Sequence, residues 1–339
     1  MQQKFTFLAI FFLFVLPVKA QLFPQLGSQR AGISALTFLK MDVSPRSAGL
    51  AGANICLTGD GYSTYTNPAT LAEVETFSLA GANTFWIADI NFAYLTASTH
   101  SKRVGTFGFS LSALNSGAME VRTTFQPEGT GELFYANYFT AGLSYSKRLT
   151  DQFSWGITGK YVQERLAQFV AQTGVVDLGF LYETDFKDLR FAVMVQSFGV
   201  NSKLRGSVTL DTTFNKKPLS LDSYPTPTVF QLGISIVPWK SADEKQSLTT
   251  MLQLNHPNDN AENIRIGLEY NYKDLLFLRA GYKINVSDQN LPTAGVGIRT
   301  RAGRHPLMFD YALDPMRYLG IVHRVGLNFS LNPTTENNE

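Results

Sequence analysis

Residues 263–272 read Asn-Ile-Arg-Ile-Gly-Leu-Glu-Tyr-Asn-Tyr, an unbroken alternation of apolar and polar side chains. Successive side chains of a strand point to opposite faces. Ile264, Ile266, Leu268, Tyr270 and Tyr272 therefore share one face, and Asn263, Arg265, Gly267, Glu269 and Asn271 the other. A helix would scatter both sets around its circumference. After Lys273-Asp274 the alternation resumes, with Leu276, Leu278, Ala280, Tyr282 and Ile284 opposing Phe277, Arg279, Gly281, Lys283 and Asn285. It recurs over 153–162, 174–183 and 319–331, where His323 is the one interruption of the apolar face.

Length separates the possible β folds. The alternating segments run nine to fourteen residues. Strands of soluble proteins are usually about 5–6 residues long, whereas a tilted strand that crosses a bilayer needs about 9–11. The ionisable residues Lys160, Asp177, Arg265, Glu269, Arg279, Lys283 and Arg324 all fall on the polar face. Turned toward lipid, each Arg or Lys at the midplane would cost about 2–4 kcal/mol. The polar face therefore points inward, and the fold expected is all-β: a transmembrane antiparallel β-barrel. Composition agrees without deciding, since 26 Phe, 14 Tyr and 27 Gly suit a membrane barrel or a large soluble β-protein.

Fourteen strands are expected, at about 75–83, 87–99, 103–114, 135–148, 152–165, 173–185, 188–198, 226–238, 246–255, 262–272, 275–285, 291–300, 305–313 and 319–331. Alternate connections (100–102, 149–151, 186–187, 239–245, 273–274 and 301–304) are short, as inner turns of such barrels are. The two long loops, 115–134 and 199–225, both fall in the opposite set. An even strand count puts both termini on the periplasmic side. Trp86, Trp155 and Trp239 fall near connections, where indole rings suit a membrane interface.

The ends of the chain have their own signals. Residues 1–20 read as a cleaved secretory signal peptide: Lys4, an apolar run Phe5–Leu16, then Val18-Lys19-Ala20 before Gln21. The apolar run is too short for a spanning helix, which needs about 20 residues. Without Lys4 and Lys19, Lys plus Arg falls from 29 to balance the 27 Asp plus Glu, which offers nothing to nucleic acid. Residues 21–74 precede the first strand and contain the small-residue run Ser47–Ala53. They are expected to form an N-terminal hatch or plug within the barrel of 75–331, with a periplasmic extension as the alternative. The polar tail 332–339 is expected to be disordered.

Signals of catalysis are missing. There is no Gly-x-Ser-x-Gly elbow and no phosphate-binding loop, and Gly295-Val-Gly297 lacks a third glycine and lies in a strand pattern. His100, His256, His305 and His323 are scattered singly, and one cysteine, Cys56, builds neither a disulfide nor a zinc site. No catalytic, cofactor-binding or metal-binding residues are expected, and no cofactor.

Arg46-Ser-Ala-Gly-Leu-Ala-Gly-Ala53, Asp60-Gly61 and Asn67-Pro-Ala-Thr-Leu71 together resemble the N-terminal signature of FadL-type outer-membrane barrels, and most closely the PorV/PorQ family of Bacteroidota. The stretch 254–263, Gly267-Leu-Glu-Tyr270, Leu278-Arg-Ala-Gly-Tyr282 and Asp310-Tyr-Ala312 extend the resemblance over nearly the whole chain after the signal. The resemblance implies a fourteen-stranded FadL-like barrel with a hatch bearing Asn67, Pro68 and Ala69. It also implies association with the type IX secretion system. PorV-like members bind the C-terminal signal domains of exported proteins and partner the translocon, whereas PorQ-like members sit with the surface-attachment machinery. The wider FadL group moves hydrophobic molecules through a lateral opening, for which a kink in a Gly-bearing strand such as 103–114 would serve.

Two functions follow as expectations. The first is a non-enzymatic outer-membrane barrel of type IX secretion, set in outer-membrane lipid, with exported cargo or the translocon as partner. The second is a channel for a hydrophobic ligand. The outer loop 199–225 carries Lys203, Arg205, Lys216, Lys217, Leu219 and Leu221, a mix of basic and apolar residues suited to clasping a protein partner.

Overall fold

The computed structural model describes residues 32–331 apart from 88–89, 207–208, 213–214, 219–220, 287–288, 290 and 319, and describes no side chains over 207–220. The signal peptide, the start of the N-terminal segment, the tail and Leu219 lie outside the described residues.

Fourteen antiparallel strands close into one barrel. They are β1 (Phe77–Phe85), β2 (Asn91–Ser101), β3 (Gly105–Asn115), β4 (Ala136–Arg148), β5 (Phe153–Leu166), β6 (Phe169–Glu183), β7 (Arg190–Gly199), β8 (Val229–Lys240), β9 (Gln246–Pro257), β10 (Asn263–Tyr272), β11 (Leu276–Ile284), β12 (Thr293–Ala302), β13 (His305–Met316) and β14 (Gly320–Leu331). Each strand pairs with its neighbours in sequence, and β14 returns to β1 with Leu331 opposite Phe77. Closure leaves no unpaired edge, the condition for a sheet to cross hydrocarbon.

The alternation read from the sequence sets the two faces. Outward residues such as Leu95, Phe109, Leu143, Leu268, Phe309 and Leu327 are exposed, while the inward Thr96, Ser110, Thr158, Asp177, Glu269 and Arg279 are buried. His323 is outward, and its Nδ1 lies 2.7 Å from the Tyr311 hydroxyl on the neighbouring strand. This contact accounts for a polar ring among apolar ones.

Two expectations change, and the long loops gain local strand pairs. The connection expected over 166–172 shrinks to Ala167 and Gln168, because Phe169–Thr173 continues the alternation of β6 and Ala167 takes the left-handed conformation, φ 52°, that a tight turn needs. The long loops are not wholly irregular: Met119–Glu120 pairs with Leu133–Phe134, Ser202–Lys203 with Ser223–Tyr224, and Thr209–Thr212 with Asn215–Pro218. Trp86 is not an interfacial anchor. It follows the outward Phe85, so parity turns it inward, and the Arg324 guanidinium sits 6.0 Å from its ring centroid.

Residues 32–76 form short helical turns: a 3₁₀ turn Thr37–Lys40, α1 (Pro45–Gly49), α2 (Ser63–Thr66) and a 3₁₀ turn Pro68–Glu73. Two begin on side-chain caps. The Ser44 hydroxyl accepts from the Ser47 N–H, and the Asn67 carboxamide oxygen accepts from the Ala69 N–H, each followed by a proline at the first helical position. The segment packs against inward faces around the ring. Phe38, Leu39, Val43 and Tyr65 cluster with Phe92, Tyr94 and Leu114; Ile55, Cys56 and Ala69 with Leu181, Ala192 and Met194; Leu50, Ala53 and Leu57 with Met251.

Candidate functional site

The interior is the candidate site, where inward-facing charges of the barrel meet the N-terminal segment. Glu269 on β10 accepts from Arg46 Nε at 2.9 Å and Nη2 at 2.7 Å, and from Arg279 Nε on β11 at 2.6 Å. Arg279 Nη1 continues to Asp310 on β13 at 2.5 Å. Arg46 Nη1 donates to the Thr58 carbonyl at 3.0 Å, tying the segment to itself as well as to the wall. A parallel set lies nearby: Lys283 and Arg324 both reach Asp314, at 3.2 and 3.4 Å, while Arg324 Nε donates to the Asp42 carbonyl at 3.1 Å and Arg265 Nη1 to the Gly52 carbonyl at 3.2 Å. On the opposite side Lys160 pairs with Asp177 and lies 5.8 Å from the Tyr65 ring centroid. All seven inward ionisable residues named from the sequence thus have partners, and Arg265, Arg324 and Glu269 bind the N-terminal segment.

The Asn67-Pro68-Ala69 motif is wholly buried. The Asn67 carboxamide donates to the Ile55 carbonyl at 2.8 Å, so one side chain caps one turn and holds another. The wall makes room for it: a Cβ on Gly179 would lie 1.9 Å from Asn67 Oδ1, and one on Gly156 would lie 2.4 Å from the Pro68 backbone. The small-residue run is seated likewise, with a Cβ on Gly281 falling 2.4 Å from the Leu50 carbonyl carbon.

Two groups in the segment have displaced titrations. Burial pushes the Asp60 carboxyl up to about 6, against the opposing pull of Arg46 and the Tyr62 N–H. Burial pushes the Cys56 thiol up to about 12. Cys56 is a packed thiol rather than a nucleophile.

Toward the end where the long loops emerge, strands β7–β10 present a chain of amides. Gln196 accepts from Gln231 at 3.1 Å, Gln253 donates to Asn255 at 2.7 Å, and the Asn54 N–H donates to Gln253 at 2.8 Å. A cavity of about 220 Å³ lined by Lys40, Asp42, Gln231, Asn255 and Arg265 lies there. The apolar counterpart, between Phe38, Leu39, Tyr65, Phe92 and Tyr94, holds only about 20 Å³. Sequence reasoning did not find this amide chain, although Gln231, Gln253, Asn255 and Asn263 all carry the inward parity that would have signalled it.

Strand 103–114, which a lateral opening could use by kinking, shows no break in its pairing. β3 pairs without interruption to β2, from Ser101↔Gly105 to Asn91↔Asn115, and to β4 from Thr106↔Ser146 to Asn115↔Asn137. Irregularities fall instead between β8 and β9 at Ile236/Trp239, and between β6 and β7 at Val176/Leu178. At the second, Ser197 has φ 56° and its N–H donates to Asp177 at 2.7 Å. Of the loop residues singled out, Lys203 is exposed in a strand pair with Ser223, and Arg205 bridges to Val170. Lys216 and Lys217 lie in the strand pair Thr209–Thr212 with Asn215–Pro218, and Leu221 is half-buried.

Residues 25–176 match the family of type IX secretion system protein PorV. No curated protein sequence matches the chain. In fold it is similar to the Pseudomonas putida toluene transporter TodX, at 12% identity over 86% of this chain and 99% of that one, TM-score 0.56. It is similar also to the CymD monoaromatic hydrocarbon channel, at 14% identity over 86% and 98%, TM-score 0.54. A third is a Pseudomonas aeruginosa FadL homologue, at 11% identity over 88% and 98%, TM-score 0.52. The PorV match takes in the N-terminal segment and strands β1–β5, and the fold likeness takes in the closed barrel: over residues 25–176 the chain is similar to the PorV family, and its fold is that of an outer-membrane β-barrel like these transporters.

Proposed function

We propose that this outer-membrane barrel of the type IX secretion family works without catalysis, by binding exported proteins through their C-terminal signal domains or by binding the translocon. The observation that carries the reading is the PorV match over 25–176. The interior supports it. The N-terminal segment is tied to the wall by Arg46–Glu269, Lys40–Asp259 and the Arg324–Asp42 carbonyl contact, so it acts as a plug, and function is left to the rims. With both termini on the periplasmic side, the long loops face outward, and the loop from 200 to 228 with its basic residues offers the cargo-binding surface.

A channel for hydrophobic molecules is the second reading, supported by the fold likeness to monoaromatic hydrocarbon and toluene transporters. The continuous pairing of β3 and the small volume of the apolar cavity weigh against it. A tagged pull-down from native outer membranes in mild detergent, read by mass spectrometry, separates the two. Co-recovery of a very large translocon barrel or of exported proteins with C-terminal signal domains is expected. Recovery of the barrel alone with bound fatty acid would move the assignment to transport.

A further inference from the structure

At the end of the barrel where β1 begins and β14 ends, the hairpin of β12 and β13 projects beyond the short turn joining β10 to β11. The step encloses a cleft of about 540 Å³, lined by Lys273, Asp274, Arg299, Arg301, Arg304 and their neighbours. Lys273, Arg299 and Arg301 face one carboxylate, Asp274. Inside the barrel Arg279, Lys283 and Arg324 sit on carboxylates at 2.5–3.4 Å. Here Arg299 stands 3.7 Å from Asp274. Arg299 instead lies over the Phe277 ring at 4.8 Å, and Lys273 over the Tyr272 ring at 5.1 Å. Arg301 is exposed, with neither an ion pair nor a hydrogen bond among the described residues.

We infer that this cleft is a docking site for an acidic peptide segment of a protein partner at the inner end of the barrel. An aromatic ring holds the Arg299 guanidinium plane in place without neutralising it. Its fork stays available for a carboxylate, which it matches in a bidentate fashion. Parity selects the side of approach. Ile298 points outward, whereas Arg299 and Arg301 take the other parity, toward the mouth of the barrel, and Thr300 lines the cleft beside them, so the ligand arrives from water at the rim. Clustered like charges focus a field that attracts an anionic segment and weakens as salt screens it. This inference rests on different residues, and on the opposite end of the barrel, from the cargo-binding reading.

The test uses the full mature chain in detergent and a fluorescein-labelled hexaglutamate peptide, followed by anisotropy. Lys273→Gln with Arg301→Gln removes two exposed cations, and native folding is verified by the heat-dependent shift of the barrel on gels. Saturable binding that weakens at least tenfold in the double variant, and weakens with added salt, is expected. Equal binding by both proteins would overturn the inference. So would loss of peptide binding in nanodiscs containing phosphatidylglycerol but not in phosphatidylcholine nanodiscs, which would make this a lipid headgroup site. Binding seen only after removal of residues 332–339, which carry Glu336 and Glu339, would make the chain's own tail the occupant and overturn it too. No arm reads secretion, so this inference and the secretion reading can fail separately.

Discussion

Arg46 in the N-terminal segment and Glu269 on β10 are 223 residues apart in sequence and share two hydrogen bonds, at 2.9 and 2.7 Å, inside the barrel. Glu269 also holds Arg279 at 2.6 Å. Replacing Glu269 with Gln therefore leaves two buried guanidiniums facing a neutral amide. Breaking a buried ion pair from one side typically costs about 3–5 kcal/mol. The Glu269→Gln barrel should unfold at a clearly lower temperature than wild type in heat-modifiability gels, and Arg46→Met should be milder because Glu269 keeps Arg279. Equal melting of all three proteins would mean that the network contributes nothing to stability.

Gly179 is the seat of Asn67. A methyl group there would collide with the carboxamide oxygen at 1.9 Å, and the cap on the Pro68 turn would be lost with it. Gly179→Val should leave the strand in place, since valine suits β structure, while expelling residues 67–71. Cys56, packed beside Ala69 with its thiol pushed up to about 12, reports the change. Maleimide should label Cys56 slowly in the folded wild type and at least tenfold faster in Gly179→Val. Unchanged labelling with an intact barrel would contradict this role for the glycine.

Asp60 makes the seating of the segment depend on pH. Its carboxyl titrates near 6 when buried and near 3.8 when released, with burial as the main cause. The sign follows from a folded value above the unfolded one. The contribution to stability is complete below about pH 3.8 and is lost as pH rises through about 6, a span worth about 3 kcal/mol for one group. Between pH 5 and pH 7.5 the wild-type barrel should therefore lose more thermal stability than Asp60→Asn does. Parallel pH profiles for the two proteins would rule Asp60 out as the source.

The outer loop gives the test of the cargo surface. Deletion of 203–221, closed by a short Gly-Ser link, removes Lys203, Arg205, Lys216, Lys217, Leu219 and Leu221 without touching any barrel strand. Secretion of cargo with C-terminal signal domains should fall at least tenfold while the barrel keeps its heat-modifiable shift. Normal secretion by this variant would remove the loop from the binding surface.

The period-two pattern was enough to determine the class of fold, the strand count and the face each side chain takes. A one-residue slip along β10 or β11 would carry Glu269 or Arg279 into lipid, at about 2–4 kcal/mol for the arginine at the midplane. That constraint is local, so it can be read from the chain. What parity leaves open is which inward residue meets which. Arg46 and Glu269, Gly179 and Asn67, Arg324 and the Asp42 carbonyl become neighbours only once closure brings distant strands around one segment. The same limit explains Trp86, which composition would set at a membrane interface and parity turns onto Arg324. It also explains the basic cleft, whose cations come from the turn after β10 and from β12 and the turn after it, which no spacing rule connects. The pattern along the chain determined which side each residue faces, and the tertiary structure alone decided the partners across the lumen, because those contacts depend on the register and closure of the whole ring.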